Sequence, residues 1–151
     1  MIEHDVTMSS QMELPDAVTE EAILGLLTHV LETEGVNESW ELAVQFVDDP
    51  TMIAAHVEFM DIDEPTDIMT FPYSSEDDIW GDGQHGGDLI ISVDRARSHA
   101  HYADWREEDE IFFLITHGIL HLLGWDDLSD DDRARMLARQ QELLDSWEAR
   151  P

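Results

Sequence analysis

The sequence predicts an α+β fold: one small mixed β-sheet packed with helices. Three observations lead there. The 151 residues suffice for one domain with a real core, taken here as residues 1–151. Apolar residues recur with a period near 3.6 in some segments and near 2 in others. The segments follow one another as α-β-α-β-β-α-α-α, which fits a single sheet covered by helices.

Each element has its own signal. Residues 15–34 place Ile23, Leu26, Leu27, Val30 and Leu31 at helical spacing, and Gly35 supplies a stop. Trp40–Val47 alternates through Leu42, Val44 and Phe46, the pattern of a strand. Asp48-Asp49-Pro50 turns the chain into a short helix over Thr51–Phe59. Asp67–Phe71 is a second strand, closed by Pro72. Residues 74–87, rich in Gly and Asp, form a loop. Leu89–Val93 is a third strand, and Asp94 caps a helix running to Ala103. A longer helix covers Glu107–Leu123. Its first turn is acidic, as the positive end of the helix dipole favours, and Gly124 ends it. Ser129, with Asp132 three residues on, opens the last helix, to Trp147.

Charge is the dominant compositional feature. Thirty-six acidic residues face seven basic ones, for a net charge of −29, and all seven are arginine. An apolar content of 42% in periodic segments argues against an acidic disordered chain. Adaptation to concentrated salt fits better than a binder of cationic partners, since at 1 M the Debye length is about 3 Å and surface repulsion is screened. There is no basic footprint for nucleic acid, so any phosphate binding has to be local. The apolar run at 111–123 is too short for a transmembrane span and holds two histidines, and the acidic start lacks the apolar stretch of a signal peptide. The expected location is cytoplasmic, with no membrane partner. Without cysteine, a metal site must use histidine and carboxylates.

The stretch HGILHLLGWDD, residues 117–127, supplies those groups. His117 and His121, four apart on a helix, present two imidazoles on one face. Gly124 breaks the helix, so that Asp127, or less readily Asp126, can fold back with a carboxylate. Three protein donors leave a coordination position for water, the catalytic form of such a site. One histidine on an apolar face is usually a satisfied core residue; two are harder to place, since each nitrogen of a buried imidazole needs a partner. The acidic run Asp130–Asp132 is read as a helix start. His4, His29, His56, His85, His99 and His101 fall at surface or loop positions, with His85 alone a candidate accessory. The metalloprotease motif H-E-x-x-H is missing its Glu, because Gly118 stands there.

HGILHLLGWDD resembles the signature of the YbeY endoribonucleases, the rRNA maturation factors. DEPTDIMTFPY (63–73) and GDLIISVDRARSHA (87–100) resemble two further segments of that family, in the same order. The likeness covers roughly residues 40–145. It implies an α+β fold with a metal at the floor of a cleft, and a zinc-dependent endoribonuclease specific for single strands. It also implies roles in ribosomal RNA maturation and ribosome quality control, with RNA and the ribosome or its proteins as partners and no DNA. Carried onto this chain, the metal ligands are His117, His121 and Asp127, the last standing where the family has a third His. Asp127 lowers the charge of the metal complex by one unit and makes Mn²⁺ more competitive with Zn²⁺. Met60 stands where the family usually has an Arg, and His56 near its helix Asn. The general base is not identified; Asp67, Asp88 and Asp126 are candidates, and Arg95 and Arg97 are candidate cations. Thr70 is expected to line the cleft, and Trp80, Phe71 and Trp125 to offer stacking surfaces for bases. The departures at Met60 and Asp127 support an alternative: a ribosome-assembly binding protein with a mainly structural metal site.

Overall fold

The computed structural model describes residues 2–62, 66–73 and 85–148. Its elements run β1 (Asp5–Ser10), α1 (Glu20–Thr33), β2 (Trp40–Val47), α2 (Asp49–Met60), β3 (Ile68–Pro72), β4 (His85–Ser92), α3 (Val93–Ala103), α4 (Glu107–Leu122) and α5 (Asp130–Glu148). The four strands lie in the order β1-β2-β4-β3; β1, β2 and β4 are parallel, and β3 is antiparallel to β4 at the edge. The fold is α+β with a small mixed sheet, as expected.

Alternation along the strands gives the sheet two faces. Val6, Leu42, Val44, Phe46, Leu89 and Ile91 belong to the main core, which also holds Ile23, Leu26 and Leu27 of α1, Ile111, Ile115 and Ile119 of α4, and Leu143 of α5. The other face carries a smaller cluster, in which Val47, Met69 and Ile90 pack with Met52 and Ala55 of α2. Thus α1, α4 and α5 share one side and α2 takes the other. The predicted core stripe of α1 is buried residue for residue.

Several boundaries differ from the expectation. Strand β1 has no counterpart in the sequence reading; its segment, DVTMSS, is short and polar, and its pairing with β2 makes it a strand. Helix α1 starts at Glu20 because the Thr19 hydroxyl accepts from Ala22 N–H, 3.0 Å away. Strand β4 reaches back to His85, so the end of the expected loop is sheet, and its Val93 end belongs to α3. Glycine is required at Gly86, where φ is +125° and a β-carbon would meet the Glu41 carbonyl oxygen at 1.8 Å. Residues 74–84 of that loop, Trp80 among them, lie outside the described residues. Ser92, not Asp94, caps α3, accepting from Arg95 N–H; Asp94 instead accepts from Asp49 N–H at 2.8 Å and ties α3 to the start of α2.

Candidate metal centre

The centre is built at the end of α4. His117 and His121 lie one turn apart, with ring centroids 4.6 Å apart. Two features of the backbone place them. Gly118 lets α4 sit close on the sheet: a β-carbon there would stand 2.7 Å from Leu89 Cδ2. At the helix end, Trp125 N–H donates to the Leu120 carbonyl and Gly124 N–H to that of His121, both at 3.0 Å. This is a Schellman cap, with Gly124 at φ +104°. Trp125 packs back on the core, and the reversal returns Asp127 to the two imidazoles.

One Asp127 oxygen lies 3.7 Å from His117 Nε2, and the other lies 3.7 Å from His121 Nε2. These separations are long for hydrogen bonds. They approach the roughly 3.3 Å expected between nitrogen and oxygen donors on a tetrahedral divalent ion. One donor atom from each residue lies within 4.8 Å of the others, and among the described residues this is the one cluster of its kind. The side chains are 18%, 26% and 37% exposed, so the centre opens to solvent. On the opposite side of the ring, His117 Nδ1 lies 2.8 Å from Gln140 Oε1 of α5. The donor set and its spacing therefore fit a divalent ion.

The other predicted residues are not gathered here. Asp67, just before β3, accepts Ser92 N–H through its carbonyl, and its carboxylate lies 3.9 Å from His99. His99 in turn is 3.4 Å from Glu110, a buried carboxyl in the first turn of α4. Seven residue steps along the helix, about 10 Å of rise, separate Glu110 from His117. Burial pushes the Glu110 carboxyl above the usual glutamate value, opposed by His99. Asp88 alternates with Leu89 onto the α2 face and accepts from the Tyr73 hydroxyl. Burial and that carboxylate push the Tyr73 phenol up to about 12. Asp126 is exposed, and its Oδ1 accepts from Leu128 N–H at 3.3 Å. Arg95 pairs with Asp49 at 3.4 Å, and Arg97 pairs with Glu107 and donates to the Glu13 carbonyl. His85 lies with His4 and Trp40 along a separate hollow of about 410 Å³. Phe71 meets Phe59 edge to face, and Met60 is 52% exposed at the end of α2.

Fold and cluster together define a class: α+β proteins with a solvent-open, three-donor candidate metal centre at a helix end. Comparison with known proteins gives the particular family. The sequence profile described as Endoribonuclease YbeY matches residues 5–148. The Endoribonuclease YbeY of Oceanobacillus iheyensis is 35% identical over 93% of this chain and 92% of its own length. That of Macrococcus caseolyticus is 38% identical over 81% of each. The chain belongs to the YbeY endoribonuclease family. In structure it resembles TM1509 of Thermotoga maritima, known from its solution structure. The TM-score is 0.63 over 97% of this chain and 89% of that one, and at 21% identity the likeness concerns the fold.

Sequence reasoning missed Gln140. Its signal was present: the core stripe of α5 reads Met136, Gln140, Leu143, Leu144, with one amide among apolar residues.

Proposed function

We propose that this chain is a metal-dependent endoribonuclease that cuts single-stranded RNA in ribosomal RNA maturation and ribosome quality control. The supporting observation is the convergence of His117, His121 and Asp127 in a member of this family. These three are the proposed ligands. Two imidazoles and one carboxylate suit Zn²⁺, and the carboxylate admits Mn²⁺. A divalent ion held there supplies Lewis-acid chemistry at a phosphodiester.

The protein's own part is to bind and to orient. The two imidazoles turn their Nε2 atoms toward Asp127, which supplies negative charge, and the partly exposed rim leaves the three donors open to solvent. Asp126 is the candidate carboxylate nearest in sequence to the donors. Among the described residues, Arg95, Arg97, Arg106, Arg133 and Arg139 are engaged by the chain's own carboxylates. RNA is therefore gripped mainly at the centre. The proposed setting is cytoplasmic, with ribosomal RNA and the ribosome as partners and neither DNA nor membrane. No described helix is long and apolar enough to cross a membrane.

Single-turnover cleavage of a single-stranded RNA, with and without chelator, tests this. Cleavage should depend on added Zn²⁺ or Mn²⁺ and disappear in His117→Ala and His121→Ala. Chelator-resistant cleavage overturns it. The exposed Met60 at the family's Arg position favours a second reading, a ribosome-assembly protein whose metal is structural. That reading predicts unfolding by chelator without RNA cleavage.

A further inference from the structure

Gln140 bears on the centre although it touches none of the space among the three donors. It is 1% exposed and lies one turn from Met136 and from Leu143 and Leu144, positions that α5 fills with apolar residues. An amide buried there costs free energy unless both of its ends are bonded. Both are. Its Nε2 lies 3.4 Å from the Phe113 carbonyl oxygen, and its Oε1 lies 2.8 Å from His117 Nδ1.

The Phe113 bond settles the orientation of the amide, because a carbonyl oxygen accepts only and must face the NH₂ end. Oε1 then faces the imidazole and also accepts only, so Nδ1 carries the hydrogen. A neutral imidazole has one N–H, which leaves the lone pair on Nε2. Nε2 is the atom that stands 3.7 Å from Asp127. Among the described residues, the Nδ1 of His121 has no corresponding hydrogen-bond partner.

We propose that Gln140 is a positioning residue for the metal centre: it locks His117 in the Nδ1–H tautomer and aims Nε2 at the ion. The proposal rests on the reading of His117 as a ligand. His117 is then the pre-set ligand, and among the described residues no comparable bond fixes the tautomer of His121. Outer partners of this kind typically account for 10–100-fold in metal affinity.

The test uses the full chain and Zn²⁺ alone, with affinity measured by competition against a chromophoric chelator. Imidazole ¹⁵N NMR of the metal-free protein, at a pH where the rings are neutral, reads the tautomer. Wild type should show His117 with its hydrogen on Nδ1. Gln140→Leu should keep the circular dichroism of the fold, shift His117 toward the Nε2–H form, and bind zinc about 10–100-fold more weakly. Gln140→Glu, which keeps an acceptor against Nδ1–H, should recover most of that affinity. An Nε2–H tautomer in wild type overturns the proposal even if Gln140→Leu fails to fold; so does unchanged zinc affinity in a folded Gln140→Leu. His117→Ala separates the two readings: if it binds zinc normally, the ligand assignment itself has failed; if it does not and Gln140→Leu does, only the positioning role has.

Discussion

Gly118 lies against Leu89 so closely that a β-carbon on it would stand 2.7 Å from Leu89 Cδ2. Leu89 is fully buried on the central strand β4, so it has little room to withdraw. Alanine at Gly118 gains about 1 kcal/mol of helix propensity. It also overpacks the helix–sheet contact, at a typical cost of about 1–3 kcal/mol. Gly118→Ala should therefore lower stability by up to about 2 kcal/mol in urea titration and weaken zinc binding, since both imidazoles ride on the displaced helix. A stabilised variant would show that α4 has slack at the sheet.

Gly124 presents a different constraint. A β-carbon there meets nothing within 4 Å, yet φ is +104°. The penalty in Gly124→Ala is conformational, about 1–2 kcal/mol. The variant should melt earlier and bind zinc more weakly, because the Schellman turn is what brings Asp127 back. Unchanged zinc affinity would separate the turn from the centre.

Asp127 governs which ion is preferred. Asp127→Ala should weaken zinc binding by more than the roughly 10–100-fold lost with an outer partner. Asp127→His should move competitive binding away from Mn²⁺ and toward Zn²⁺, because a third imidazole replaces a hard oxygen donor. Equal selectivity in the two proteins would remove Asp127 from the ligand set.

Glu110 gives stability a pH dependence of its own. It faces His99 of α3, the Asp67 carboxylate before β3 and the Trp105 indole. Burial raises its folded value above the ordinary 4.5, so the folded chain keeps a proton that the unfolded chain has released. Stability contributed by the protonated form is then lost as pH rises from 4.5 through the folded value. Glu110→Gln should remove that decline, and the gain over wild type should grow with pH across the window. Parallel stability–pH curves for the two proteins would contradict the burial effect.

Salt acts on the whole molecule. With a net charge of −29, raising KCl from 0.1 M to 1 M shortens the Debye length from about 10 Å to about 3 Å and relieves surface repulsion. The melting temperature should climb steeply with KCl. A flat or falling curve would count against salt adaptation.

The sequence by itself determined the local features of this protein. The core stripe of α1, the Ser129 cap of α5 and the placing of His117 and His121 one turn apart depend on spacings of three to five residues, which helix geometry converts directly into position. The break at Gly124 is equally local, and it narrowed the returning carboxylate to Asp127 or, less readily, Asp126; the family resemblance singled out Asp127. Tertiary structure decided the rest. Strand β1 has little signal of its own and exists because β2 offers it a parallel partner. Arg95 and Asp88 lie in segments that resemble the family, yet Asp49 holds the first and the pleat turns the second to the α2 face. The bond from Gln140 to His117 spans 23 residues and forms only when α5 packs on α4. Periodicity tells which face of an element is buried; which residue it meets there depends on how the elements pack.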